Sequence, residues 1–219
     1  MAIKYFIFSI DDGTIYDEKV IEIFNKHKIR ATFNLNSGLQ DFVWYKDDRP
    51  VNRLNLYEHK HIYDNHEVAS HSLTHPYMTM CPDEEVFRQV VEDITNLSNI
   101  FNRSITTFAF PFTDFDDRTI SIIKHISPIS IIRVSEIDDS FKFPIDKWHV
   151  KITSWDIDDA LKKVDRFIND DTADLFVFVA HAYDFEFANS YDKLERLCEL
   201  VLSDKNIKII TMNELIGIM

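Results

Sequence analysis

The sequence predicts an α/β fold, an irregular (β/α) barrel of about seven strands, from three features. Seven or eight short apolar runs alternate with amphipathic stretches of helical period. The run Leu175–Ala180 is apolar almost throughout, as a strand covered on both faces must be. Residues fit for chemistry follow the runs: Asp11 and Asp12 after the first, His71 after the third, then Pro111 and His181, at the strand ends where such barrels keep their active sites. A chain of 219 residues is ample for one such domain, read as spanning residues 1–219.

The first strand is Tyr5, Phe6, Ile7, Phe8, running into Ser9-Ile10-Asp11-Asp12-Gly13. Adjacent side chains of a strand point to opposite faces, so one aspartate can grip a metal while the other handles a proton. Asp-Asp-Gly is equally an ordinary turn, and the stretch alone leaves both readings open. Val20, Ile21, Ile23 and Phe24 then stand at helical spacing within Asp17–His27, and Ala31–Leu35 reads as a second strand, parallel to the first. Asn36–Arg53 reads as a long polar loop of the kind that shapes a cleft, its Trp44 and Tyr45 placed either to stack on a sugar or, the reading preferred, to cover the core.

A helix is expected over Leu54–Asn65, then a short strand, Glu67 to Ala69, stopping at Ser70 and His71. His71-Ser72-Leu73-Thr74-His75 places two imidazoles at i and i+4, which on a helical turn is the separation two ligands of one metal need. Ser70 suits the cap of that turn and Pro76 its end. The strongest helix is Asp83–Phe101, with acids in its first turn and Val86, Phe87, Val90, Val91, Ile94 and Leu97 on one face. A strand at Thr107–Phe110 ends at Pro111, a helix follows over Asp117–Ile126, and the strand Ile129–Val134 carries Arg133 in apolar company, where a guanidinium wants an acidic partner. The rest reads as strand Trp148–Thr153, helix Asp156–Asn169, strand Leu175–Ala180 ending at His181, helix Tyr191–Leu202, strand Ile207–Thr211 and a last helical turn.

Composition narrows the partners. With 45% hydrophobic and 28% charged residues the chain is globular, and 3 Gly and 6 Pro leave no material for a low-complexity linker. A net charge of −13 without a basic patch repels phosphate backbones, so nucleic acid is not an expected partner. No apolar segment is long enough to span a membrane. The opening residues lack the pattern of a secretion signal, which places the chain in the cytoplasm, or outside the cell if a signal has been removed. Cys81 and Cys198 lack metal-ligand spacing and read as free thiols.

Taken together, Ser9-Ile10-Asp11-Asp12-Gly13, Ser70-His71-Ser72-Leu73-Thr74-His75-Pro76 and Val179-Ala180-His181, in that order, resemble the polysaccharide deacetylase family, also called the NodB homology domain or carbohydrate esterase family 4. The resemblance runs over nearly the whole chain. It implies removal of acetyl groups from an N- or O-acetylated carbohydrate, with Asp12, His71 and His75 holding one divalent metal, usually zinc. Asp11 is then the general base and His181 the general acid, and a backbone N–H after the third-motif proline, here Pro111 followed by Phe112, faces the oxyanion. Such a site lowers the pKa of a water and polarises the carbonyl at once.

Two departures stand out. The family's third motif carries an arginine two residues before the proline and a glycine two after it, where this chain has Ala109 and Thr113. Arg133 on the neighbouring strand is expected to supply the missing charge to Asp11. The fourth motif, an acid and a tryptophan that orient the acid histidine and line the acetyl pocket, is matched loosely by Trp155 and Asp156. Other classes fit the same residues: a catalytically silent relative that binds zinc and glycan, or a non-haem iron oxygenase built on two histidines and a carboxylate. His59, His61 and His66 share no helical face and are read as bystanders.

Overall fold

The computed structural model describes residues 3–126 and 128–219. In chain order the main elements are β1 (Lys4–Asp11), α1 (Asp17–Lys26), β2 (Thr32–Leu35), β3 (Val43–Lys46), β4 (Arg49–Asn52), α2 (Leu56–His59), β5 (Glu67–Ser70), α3 (Asp83–Phe101), β6 (Thr107–Ala109) and α4 (Asp117–Ile123). Then come β7 (Ile131–Ile137), β8 (Val150–Ile152), α5 (Ile157–Asn169), β9 (Leu175–His181), α6 (Ala182–Ala188), α7 (Tyr191–Ser203) and β10 (Ile207–Ile209).

Among the described residues, seven parallel strands run in the order β9-β1-β2-β5-β6-β7-β8. β9 pairs with β1 from Tyr5↔Leu175 to Asp11↔His181, leaving the other side of β1 to β10 at its start and β2 at its end. The ring returns on itself through one bridge, Ser154↔Phe178, where the Thr153 N–H donates to the Val177 carbonyl at 2.8 Å. The irregular (β/α) barrel is borne out, with its weak seam between β8 and β9.

Strand alternation sorts the core. Phe6, Phe8 and Ile10 of β1 point outward into the layer under the helices, with Phe33, Phe108, Phe176 and Phe178. Ile7 points inward and packs with Ile131, Val150, Ile152, Leu175, Val177 and Val179, closed by Met212 and Leu215. One step further along the strands the interior turns polar. Asn34 Nδ2 donates to Ser9 Oγ and to Asp11 Oδ1, each at 2.7 Å. Apolar packing below thus leaves a polar floor at the C-terminal ends of the strands.

The helix over Asp83–Phe101 coincides with α3, whose alternation of faces is strong and whose start carries three acids. Three local expectations are corrected. Asn36–Arg53 is not a plain loop, because β3 and β4 pair as an antiparallel hairpin within it. Leu54–Asn65 gives only the short α2 and a 3₁₀ turn over Lys60–Tyr63. Residues 71–76 are not helical: Ser72 and His75 both take left-handed backbone, at φ 67° and 56°. α6, for which the sequence offers no expectation, follows His181 directly.

Asp17, in the first turn of α1, is fully buried beneath the Asp-Asp-Gly loop. It accepts the Thr14 N–H at 3.0 Å, the Thr14 hydroxyl at 3.1 Å and the Tyr63 hydroxyl at 2.9 Å. Burial pushes its carboxyl up to about 7 against the pull of those bonds. Tyr63→Phe should therefore lower the unfolding free energy in urea by about 1–3 kcal/mol. The loss should grow as pH rises through 7, since the hydroxyl favours the ionised carboxylate.

Candidate active site

Asp11 and Asp12 end β1 on opposite courses. Asp11 stays in the strand and points into the barrel, while Asp12 is turned by a positive φ of 88°, a strained position for a residue with a Cβ. Gly13 continues the turn at φ 66°, and a Cβ there would lie 2.9 Å from Leu35 Cδ2. The glycine is thus favoured by its dihedral, and a side chain there would also make Leu35 shift.

Asp11 receives Arg133 Nη2 at 2.7 Å, and both side chains are buried. Burial alone would raise the Asp11 carboxyl; Arg133, then His71 and His181, outweigh it and hold the carboxyl below the usual carboxylate range. Asp12 is likewise held down against burial, by Arg53 foremost. Arg53 Nη2 lies 3.1 Å from Asp12 Oδ1, Nη1 donates to the Asp12 carbonyl and to Asn36 Oδ1, and its guanidinium sits under the Trp44 ring at 4.7 Å.

His71 and His75 reach Asp12 from an irregular loop rather than a helix. Asn36 Nδ2 donates to the Ser72 carbonyl at 2.7 Å, the Thr74 N–H donates to Gln89 Oε1 at 2.8 Å, and the His75 N–H donates to Ser72 Oγ at 3.1 Å. The Gly38 N–H donates to the Leu73 carbonyl across a contact that a Cβ on Gly38 would break, at 2.6 Å from that oxygen. His71 Nδ1 lies 2.8 Å from the Ala109 carbonyl, so Nδ1 carries the proton and the Nε2 lone pair faces the aspartates. That Nε2 is 4.0 Å from Asp12 Oδ1, and His75 Nε2 is 3.4 Å from it. Burial pushes His71 down to about 3 and lowers His75 as well, so both imidazoles are neutral.

The ligand atoms of Asp12, His71 and His75 lie within 4.8 Å of one another. Asp12 Oδ1 is buried yet accepts no well-formed hydrogen bond. Two neutral imidazoles and an ionised carboxylate with a spare lone pair are the donor set of a zinc-type divalent cation, so the residues fit that group.

His181 ends β9, in register with Asp11. Its Nε2 is 3.9 Å from Asp12 Oδ2, and its Nδ1 is 3.0 Å from Asp184 Oδ2. Burial would lower its pKa; the hydrogen bond to Asp184 and the charges of Asp12 and Asp11 outweigh that and raise it.

Around these groups lies a cavity of about 650 Å³. Phe112, at φ 57°, stacks on Tyr77 at 4.2 Å and meets the His75 ring edge-on at 4.4 Å, while Pro111 is buried behind it. Trp155 lines the cavity with more than half its surface exposed. Asp156 does not touch His181: its carboxylate caps α5 by accepting the Asp159 N–H at 2.8 Å. Trp44 lines the cavity and Tyr45 is 71% exposed, so neither covers the core. His66 is buried and accepts the Ala31 N–H, and His59 and His61 lie on the surface.

Residues 2–127 match the model of a family described as polysaccharide deacetylase. The chain belongs to the polysaccharide deacetylase family. A chitooligosaccharide deacetylase of Sinorhizobium fredii is 31% identical over 88 residues, 38% of this chain and 35% of the relative, so the match takes in about a third of that protein's length. The fold is that of solved carbohydrate esterases of this family. A family 4 acetyl xylan esterase from Clostridium thermocellum, in complex with a cobalt ion, has a TM-score of 0.66 at 14% identity, over 98% of this chain and 91% of its own. The Xyl-CE4 domain of a multidomain xylanase from the hindgut metagenome of Trinervitermes trinervoides gives 0.65 at 16%, covering 98% and 90%. A family pseudoenzyme from Bacillus anthracis gives 0.64 at 23%, covering 97% and 65%. Among the described residues no helix is long and apolar enough to cross a membrane.

Proposed function

We propose that this polysaccharide deacetylase is an active, metal-dependent hydrolase that removes acetyl groups from carbohydrate. The observation that carries the reading is the placement, in one cleft, of an ionised buried carboxylate, a neutral two-histidine and carboxylate set, and a histidine whose pKa is raised. Asp12, His71 and His75 would hold the divalent metal, zinc by the softness and number of the donors. When bound, it supplies Lewis acidity toward the acetyl carbonyl and lowers the pKa of water.

The rest falls to the protein. Asp11, kept ionised by Arg133, takes a proton from the attacking water as oxygen bonds to the acetyl carbon. The Phe112 N–H serves the oxyanion, with Pro111 fixing the approach of that segment. His181 gives its Nε2 proton to the leaving nitrogen, or oxygen, as the bond to the acetyl carbon breaks, leaving acetate and a free amine or hydroxyl. Trp155, Tyr77 and the Phe112 ring offer apolar faces to the sugar and the acetyl methyl.

Acetate release tests this on chitooligosaccharide, peptidoglycan fragments and acetylated xylan, with zinc and with chelator. Zinc-dependent release from the N-acetylated substrates is expected, in keeping with the chitooligosaccharide relative. Zinc and glycan binding without acetate from any substrate would establish a silent relative instead, and ketoacid-dependent oxygen uptake an oxygenase.

A further inference from the structure

The hairpin of β3 and β4 has a partner that its sequence does not announce. It lies on α6, the short helix that begins directly after His181. Trp44 meets the Tyr183 ring edge-on at 5.6 Å, the Arg49 guanidinium lies 3.9 Å over the Phe187 ring, and Arg49 Nη1 donates to the Phe187 carbonyl at 2.9 Å. At the centre of this contact is Asp184. One of its oxygens, Oδ1, accepts from Lys46 Nζ at 2.5 Å, and the other, Oδ2, lies 3.0 Å from His181 Nδ1. Tyr183 stacks on the face of the same imidazole at 4.9 Å, nearly parallel to it.

His181 is therefore held by a carboxylate in the plane of its ring and by an aromatic ring on its face. A carboxylate accepts only, so the nitrogen beside it must carry a proton. Once His181 has lost a proton from Nε2, the remaining one sits on Nδ1 against Asp184. Nε2, the nitrogen turned toward Asp12, is then the site that gives and regains protons. Asp156, the acid expected at this place, is occupied with capping α5.

We propose that Asp184, steadied by Lys46, is the positioning residue that fixes the tautomer and orientation of His181, and that the hairpin thereby belongs to the catalytic apparatus. The proposal rests on the reading of His181 as the acid, and its test separates the two. In zinc-supplied protein labelled with ¹⁵N-histidine, with His181→Gln giving the assignment, neutral His181 should be the Nδ1–H tautomer. Asp184→Asn should convert it to the Nε2–H form and lower kcat about a hundredfold, the scale of a lost general acid, while KM stays within about twofold. Asp184→Glu should keep the tautomer and restore most of kcat.

Lys46→Met should keep the tautomer and lower kcat by up to about fivefold, the scale of a half-exposed ion pair, with recovery in Lys46→Arg. An Nε2–H tautomer in the wild-type protein, or an Asp184→Asn enzyme with wild-type kcat, overturns the proposal. Wild-type kcat in Lys46→Met removes the hairpin from it. If the wild-type protein releases no acetate, the reading of His181 as the acid fails, and the spectra still decide whether Asp184 sets the tautomer.

Discussion

Arg133→Met should lower the unfolding free energy by about 3–5 kcal/mol at neutral pH and slow acetate release. Arg133 is among the largest fully buried side chains, and Asp11 faces it at 2.7 Å with almost no access to water. Removing the guanidinium strands a carboxylate in the interior, which costs far more than the net worth of the pair. In the wild type the folded pKa of Asp11 lies below its ordinary 3.8, so its contribution to stability is present above about pH 4 and is lost as pH falls through the folded value. In the variant burial acts with less opposition and the pKa rises. The stability gap should therefore widen as pH rises, and the acid limb of the rate profile should move to higher pH. Urea unfolding at several pH values checks the first and initial rates the second. Adding Asp11→Asn should recover most of the stability and none of the activity.

His71→Ala carries the second large effect. The side chain offers Nε2 to the site while Nδ1 is tied to the Ala109 carbonyl, so on the proposed reading its loss removes a metal ligand, and it opens a buried space. Loss of a residue that merely orients a ligand costs roughly 10–100-fold in metal affinity, and loss of the ligand should cost at least about a hundredfold. Competition with a chromophoric chelator measures the affinity directly, and acetate release should fall in step with it. Unchanged affinity in His71→Ala would remove the histidine from the ligand set.

Much of the framework was legible because it rests on periodicity. α3 has an apolar period that only a helix satisfies, and β1 and β9 are short apolar runs rich in aromatic and β-branched residues; their ends fell close to the expected places. The proposed site was legible in outline because Asp11, Asp12, His71 and His181 follow such strands. What escaped was set by distant contacts. The histidine loop has helical spacing but left-handed backbone at Ser72 and His75, held by hydrogen bonds from Asn36, Gln89 and Gly38 that no local signal reveals. Arg53 and Asp184 look like ordinary surface charges in sequence, and only the fold sets one beside Asp12 and the other beside His181. The pairing of β3 with β4 was hidden by charged residues and Pro50, since the hairpin buries little beyond Val51. α6 is rich in aromatics and lacks a side-chain cap, so nothing marked its start.

The most direct measurement of the central claim is acetate release by protein stripped with a strong chelator and resupplied with zinc in steps. Release should fall to background on stripping and return in proportion to zinc, saturating at one ion per chain. Release that persists in the stripped protein would contradict a metal held by Asp12, His71 and His75 as the basis of catalysis.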